Sequence, residues 1–237
     1  MLRFSVHPTD RLEGQRAASP IKAVAIIPAR YASTRLPGKA LADICGRPMI
    51  EHVYRQASAA ASVDSVLVAT DDERIARAVT AFGGYSRMTS ADHRSGTDRL
   101  AEIAHTVGSN LIVNIQVDEP LIQPDMIDAA VAACSNDPTV LMSTLRCPIR
   151  HAASLHDPHV VKVAVDRNNY ALFFSRGSMG SHQASDRENW AVDKHIGVYV
   201  YQRPFLLTLS QLEPTPLERA EKLEQLRVLE HGYRIMT

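Results

Sequence analysis

From Ala23 onward, short apolar runs alternate with stretches of helical period. AVAII (23–27), SVLVAT (65–70) and LIVNIQ (111–116) have the length and the aliphatic content of buried strands. Between them, MIEHVYRQASAA, DDERIARAVTAF and GTDRLAEIAHTV bring apolar side chains back every three or four residues, and PDMIDAAVAAC adds a helix that begins on proline. In DDERIARAVTAF either Asp71 or Asp72 can cap the helix, which leaves Ile75, Ala78, Val79 and Phe82 on one face. Strand, helix, strand in this order predicts a parallel sheet covered by helices on both faces.

The pattern changes after residue 140. VLMSTLRC, VVKVAVD, ALFFS and HIGVYVY read as strands with fewer helices between them, so the sheet is expected to become mixed or to carry a small antiparallel annex. PLERAEKLEQLRVLEHG reads as one last helix, with leucines at 217, 223, 226 and 229 and Gly232 in the position of a C-terminal cap. The expected fold class is therefore α/β, a mostly parallel mixed sheet flanked by helices. Residues 1–22 show no such pattern and read as a disordered N-terminal extension, leaving 23–237 as a single domain.

Charge and cysteines narrow the function classes. Lysine plus arginine and aspartate plus glutamate each number 26, so no global field draws the protein to nucleic acid or to an anionic membrane, and anion binding has to be local. Nor is there an interleaved aromatic platform for a nucleic-acid strand. Cys45, Cys134 and Cys147 are odd in number and lack CxxC spacing, which favours a reduced, cytoplasmic protein over a disulfide framework or a zinc ribbon. No stretch approaches the roughly 18 apolar residues of a membrane span, and the first 22 residues lack the apolar core of a secretory signal. Arg3, Arg11 and Arg16 would suit an organellar transit peptide, but Asp10 and Glu13 count against it.

Local anion chemistry is concentrated directly after the first strand, in PARYASTRLPGKAL. Ligands of open α/β sheets bind beyond the carboxyl ends of the strands. Arg30, Arg35 and Lys39 stand there, and Ser33, Thr34 and the backbone near Gly38 can add donors for several phosphate oxygens. The loop lacks the GxxxxGK[ST] spacing of a Walker A motif, and a plain solvated basic loop is the alternative reading. Asp118, in QVDEP after LIVNIQ, sits at the same sheet end, where a hard cation would want a carboxylate; a surface turn closing the strand is the other possibility. Gln116 lies one side-chain alternation earlier and faces the same side. In DHRSGTDR, Ser95, Gly96 and Thr97 open a helix with free N–H groups and short hydroxyls, which suits either a base edge or an ordinary N-cap. His151, His156 and His159 fit a variable loop better than a zinc site.

The opening loop resembles the signature loop of the sugar-acid cytidylyltransferases, above all the branch acting on 3-deoxy-manno-octulosonate (Kdo). The resemblance continues in order through VATDDERIARAV, MTSADHRSGTDRLAEIA, NIQVDEPLI, VKVAVDRNNYALFFSR, KHIGVYVY and PTPLERAEKLEQLRVLEHG, covering nearly all of 23–235. It implies a nucleotide-diphospho-sugar transferase fold, a homodimer, and a reaction of CTP with Kdo, dependent on Mg²⁺ and feeding lipopolysaccharide assembly. It implies that Arg30, Arg35 and Lys39 clamp the triphosphate, with Lys39 stabilising transition-state charge, that Asp118 binds Mg²⁺, and that the Ser95–Thr97 segment reads cytosine. It further implies that His195, Tyr199, Glu224 and Gln225 hold the sugar acid, although His195 alone would read as a core histidine and the other pair as a solvated helix face.

Three departures from the family pattern stand out. QVDEP replaces QGDEP, and the β-branched Val117, unsuited to positive φ, is expected to displace the Asp118 loop. FFSRGSMGSHQASDREN replaces a Pro-Ile-Pro segment beside the sugar. The sequence ends at Thr237, before the strand and helix that in the family supply a second carboxylate for the metal. The alternatives these leave open are a related sugar acid, such as 8-amino-Kdo or a sialic acid, and an inactive relative that only binds nucleotide.

Overall fold

Strand β1 (Ala23–Ala29) is apolar along nearly its whole length because both of its faces are covered and both of its edges are paired. The computed structural model describes residues 23–32, 36–93, 95–179 and 192–237, so the expected extension over 1–22 lies outside the described residues. After β1 come a single 3-10 turn (Lys39–Leu41), β2 (Asp43–Ile44), β3 (Arg47–Pro48), α1 (Met49–Ala59), β4 (Val63–Thr70), α2 (Glu73–Ala81), β5 (Ser86–Met88), α3 (Gly96–Ala104), β6 (Leu111–Ile115) and α4 (Pro124–Asn136). The second half holds β7 (Met142–Pro148), α5 (Ala153–His156), β8 (Lys162–Val165), β9 (Ala171–Ser175), β10 (Asp193–Gln202), α6 (Arg203–Leu209), α7 (Pro216–Glu221) and α8 (Gln225–Glu230).

The main sheet runs β5-β4-β1-β6-β10-β8-β9, with β7 also paired to β10. β5, β4, β1 and β6 are parallel, whereas β10 runs opposite to β6, β7 and β8, and β9 opposite to β8. The sheet thus turns mixed where the sequence pattern changed. The separate antiparallel annex belongs to the first half instead: β2 and β3 form a hairpin whose two turn residues, Cys45 and Gly46, have φ of 53° and 83°. Two positive φ values in a two-residue turn match the twist of the flanking strands.

Helices fill both faces. α1, α2 and α4 bury Ile50, Val53, Ile75, Val79, Ile127 and Val131 against one side of the sheet, together with Ala25, Ile27, Val113 and Ile115. α3, α6 and α8 bury Leu100, Ile103, Phe205, Leu206, Leu226 and Val228 against the other, which carries Val24, Ile26 and Ile112. Asp72, of the two candidates, caps α2 by accepting the Arg74 N–H at 2.9 Å.

The single last helix of the sequence reading is in fact two. α7 stops at Glu221 because Lys222 adopts a left-handed φ of 55°, and the chain restarts as α8 at Gln225. The apolar pattern explains the break: Leu223 and Leu226 are buried, whereas Leu217 is 40% exposed, so no straight helix would put all three on the core side. Arg227 fixes the angle between the two pieces by donating to both carboxylate oxygens of Glu218 at 2.8 and 2.6 Å. Gly232, with φ of 79°, ends α8 in the cap position the sequence suggested.

One carboxylate joins the two ends of the α1–α4 layer. Asp128 on α4 accepts from the Ser62 N–H at 2.8 Å, the Ser62 hydroxyl and the Ala61 N–H at 3.2 Å. Burial works to raise its pKa, but these hydrogen bonds outweigh it and hold the carboxyl below its ordinary value. Its contribution to stability is therefore complete above the unfolded pKa of about 3.9 and fades as the pH falls through the lower folded value. Asp128→Ala should lower the urea-unfolding free energy at pH 7 by about 1–3 kcal/mol, with the gap between variant and parent closing toward pH 3.

Candidate active site

Because β1, β4 and β6 are parallel and in register, their carboxyl ends open at one edge, and each delivers its next residues there. β1 leads to Arg30, β4 to Asp71, and β6 to Gln116, Val117 and Asp118. Lys39 is brought in by the loop after β1: Gly38, at φ of 70°, donates its N–H to the Tyr31 carbonyl at 2.9 Å and starts the 3-10 turn. A Cβ at Gly38 would lie 3.1 Å from the Tyr31 ring, so glycine serves here for both its dihedral and its size. Lys39 Nζ donates to Asp118 Oδ2, closing the edge of a cleft.

Arg30, Lys39, Gln116 and Asp118 line this first cavity with Ser95, Gly96, His93 and Arg99. Ser95 caps α3 in a reciprocal box with Asp98: the Ser95 hydroxyl accepts the Asp98 N–H, and Asp98 accepts the Ser95 N–H, each at 3.1 Å. Arg99 is buried on α3 and donates to Asp71 at 2.8 Å and to the Thr89 hydroxyl. His93 bonds to Glu102 through Nε2, and that contact holds the Glu102 carboxyl below its ordinary pKa. The backbone strain expected at Val117 is absent. Val117 is not among the residues with positive φ, so its branched side chain is unstrained; it packs against the core and lets the Glu119 N–H close a turn on the Gln116 carbonyl at 3.1 Å.

Gln116 also lines a second cavity, with Thr97, Asn114, Tyr199, Tyr201, Glu224 and Gln225. Polar groups follow one another along its wall: the Tyr201 hydroxyl lies beside the Asn114 and Thr97 side chains, and Asn114 Oδ1 accepts Gln116 Nε2 at 3.2 Å. Thr97 donates to Glu224 Oε2 at 2.9 Å. Glu224 Oε1, 3.8 Å from the Arg227 guanidinium, and Gln225 Nε2 are shielded from solvent and make no hydrogen bond. Burial raises the Glu224 carboxyl, against the opposing hydrogen bonds from Ser95 and Thr97, and burial likewise pushes the Tyr199 phenol well above its ordinary value. Tyr199 is therefore a neutral hydroxyl at physiological pH. Glu119 lies beside Gly197 on β10, and burial together with neighbouring Asp118 raises its pKa.

Of the residues singled out in the sequence, Arg30, Lys39, Ser95, Gly96, Gln116 and Asp118 meet in the first cavity, and Thr97, Gln116, Tyr199, Glu224 and Gln225 in the second. Ser33 and Arg35 lie outside the described residues. His195 lines neither cavity. Its Nε2 bonds to the Thr144 hydroxyl at 2.9 Å and its ring stacks edge-on to Phe174, 5.1 Å between centroids, while burial lowers its pKa to about 4. It is a neutral histidine beneath Tyr199, whose ring is 5.4 Å away. His93, Arg99, Asn114 and Tyr201 are wall residues that sequence reasoning missed. Asn114 carried a signal, a polar side chain two residues before Gln116 inside an otherwise apolar strand.

The arrangement suits two ligands at once. The first cavity offers cations and a carboxylate at one end and a glycine opening onto a helix N-terminus at the other. The second offers neutral hydroxyls, an amide and a carboxylate, a set that matches a polyhydroxylated molecule.

Comparison with known proteins accords with this geometry. The family described as "Cytidylyltransferase" matches residues 24–235. The chain is 54% identical over 229 residues to a 3-deoxy-manno-octulosonate cytidylyltransferase of Geobacter metallireducens, spanning 91% of this chain and 88% of that one. It is 53% identical over 222 residues to the protein of the same name from Geobacter sulfurreducens, spanning 89% and 88%. Among solved structures it resembles CMP:2-keto-3-deoxy-manno-octonic acid synthetase complexed with CTP, with a TM-score of 0.85, 46% identity, and 91% and 88% of the two chains covered. A cytidylyltransferase from Leptospira borgpetersenii, 18% identical with a TM-score of 0.60 over 91% and 75% of the chains, shares the fold. With its fold, its cationic cleft and these likenesses in agreement, the chain belongs to the cytidylyltransferase family and is a nucleotidyltransferase.

Proposed function

We propose that this protein transfers the CMP group of CTP to the anomeric hydroxyl of Kdo, giving CMP-Kdo and pyrophosphate. The observation that carries this reading is the pair of cavities meeting at Gln116, one cationic and one lined by the tyrosine hydroxyls, Glu224 and Gln225, whose Oε1 and Nε2 make no hydrogen bond. The relatives named for the same reaction supply the identities of nucleotide and sugar acid.

In the reaction the sugar hydroxyl oxygen attacks the α-phosphorus, the bond from that phosphorus to the bridging oxygen breaks, the hydroxyl proton is lost, and pyrophosphate leaves. Arg30 and Lys39 bind the polyphosphate and offset the charge that grows on the leaving group. Lys39 rests on Asp118, and both side chains are partly exposed, 26% and 43%. Such a pair is worth only about 0–1 kcal/mol, so an arriving phosphate can take over the lysine at little cost. Gly96 presents backbone alone to the first cavity, next to the Pro28 ring, and takes the base there. Tyr199, Glu224 and Gln225 orient the sugar by its hydroxyls, and Gln116 stands where sugar and α-phosphate meet.

The donor set fits a magnesium ion. Among the described residues no three ligating side chains cluster, and Asp118 is a single accessible carboxylate beside the phosphate cations. Mg²⁺ takes one or two carboxylates and fills its remaining positions with phosphate oxygens and water. Asp118 would hold it, and when bound it would polarise the α-phosphate and favour loss of the hydroxyl proton. Among the described residues no helix is long and apolar enough to cross a membrane. On this reading the enzyme is a cytoplasmic homodimer supplying activated sugar for lipopolysaccharide.

Pyrophosphate release from CTP should require Kdo and Mg²⁺ together, and Asp118→Ala should reduce it by about a hundredfold or more. Release without Kdo, release driven by a sialic acid instead, or CTP binding without turnover at any Mg²⁺ concentration would each contradict the proposal. Glu224→Gln should raise the KM for Kdo by about tenfold while leaving that for CTP within about twofold, as expected for one lost charge-assisted hydrogen bond. Because burial raises the Glu224 carboxyl, the parent's KM for Kdo should climb as the pH falls toward the carboxylate range. That climb should be absent in the glutamine variant.

A further inference from the structure

Glu224 and Gln225, in the wall of the second cavity, sit just after the break between α7 and α8, where a left-handed residue interrupts the helix. The junction's own hydrogen bonds, from the Leu223 N–H to the Glu218 carbonyl at 3.3 Å and from the Arg227 guanidinium to the Glu218 carboxylate, tie α8 to α7 without setting their height above the end of β9. Something outside it must do so.

The last residue of α7 does. Glu221 Oε1 accepts the Ser175 hydroxyl and Oε2 the Arg176 N–H, both at 2.9 Å, at the end of β9. The Glu221 carbonyl receives Arg176 Nε at 3.1 Å, so the same residue accepts three bonds from the strand end. The strand end is itself anchored from below. Lys162 on β8 is fully buried and gives its three N–H bonds to the carbonyls of Arg176, Val160 and Asp157 at 2.6, 2.7 and 3.0 Å. The ammonium has no room to relax, and the Arg176 backbone cannot shift without leaving one of its donors unpaired.

We propose that Glu221 is a positioning residue: its carboxylate locks the α7–α8 junction to the end of β9 and so holds Glu224 and Gln225 at the cavity wall. The inference rests on the reading of that cavity as the Kdo subsite. Glu221 touches no substrate on this account and acts through the backbone from Lys222 to Gln225.

Two variants and two readouts test it. Glu221→Ala removes both acceptors. Glu221→Gln keeps both contacts, because its oxygen can accept from Arg176 while its amide donates to the Ser175 hydroxyl. Glu221→Ala should raise the KM for Kdo about tenfold, the size expected for losing one or two hydrogen bonds, with the KM for CTP within about twofold; Glu221→Gln should restore it. Amide hydrogen exchange in the absence of substrate should show residues 222–228 exchanging at least about fivefold faster in Glu221→Ala, with the Lys39–Leu41 turn unchanged. The inference is overturned by unchanged exchange at 222–228, by a Kdo KM within twofold of the parent, or by equal rises in both KM values, which would mark a merely structural residue. Failure of the glutamine variant to rescue would overturn it as well, since the negative charge and not the contacts would then matter. If the parent itself shows no Kdo-dependent turnover, the proposed function fails, and the exchange experiment still decides whether the clamp exists.

Discussion

Parallel pairing of β1 between β4 and β6 is the constraint on which everything else rests. Ile26 faces Leu67 on one side and Asn114 on the other, and from that register all three strands finish at the same edge. Arg30, Asp71 and Asp118, distant in sequence, are neighbours for this reason. A slip of one residue in β6 would turn Asn114 and Gln116 toward the α1–α4 layer and bury two amides among Ile115, Val113 and their neighbours. The sheet register thus protects both the core and the site.

Much of the charge at this edge is held in pairs. Lys39 meets Asp118, Arg99 meets Asp71, and His93 meets Glu102. The pairs differ in burial, and burial separates their roles. Arg99 is only 5% exposed on its side chain and has an acceptor on each arm, so it braces the wall behind α3. Lys39 and Asp118 are accessible and cheap to separate, so they are the ones available to a polyanion and its cation. A protein with no net charge can bind a highly charged nucleotide because the few cations that matter are released locally.

Strand and helix placement was largely legible, since alternating apolar runs dictate which segments can be buried on two faces and which on one. The single last helix was misread because its four leucines dominate the pattern, while the break depends on a left-handed lysine that composition does not announce. Lys222 carries no glycine or proline signal. In the site, Arg30, Lys39 and Asp118 were legible because strand ends have a known place in this architecture. His195 was readable either way, and its burial against Phe174 and Thr144 puts it under the wall and not in it. Arg99 stayed hidden because an arginine on an amphipathic helix reads as solvent-facing, and only the three-dimensional approach of Asp71 and Thr89 makes a buried position tolerable.

The account stands or falls on one site divided between two ligands, with the cationic cavity taking the nucleotide. A crystal structure of the protein grown with CTP and Mg²⁺, without sugar, tests this most directly. The account predicts triphosphate oxygens within hydrogen-bond reach of Arg30 and Lys39, the base against Gly96, and the Glu224–Gln225 cavity still open. A triphosphate bound away from Arg30 and Lys39, or a nucleotide occupying the cavity of Glu224 and Gln225, would contradict it.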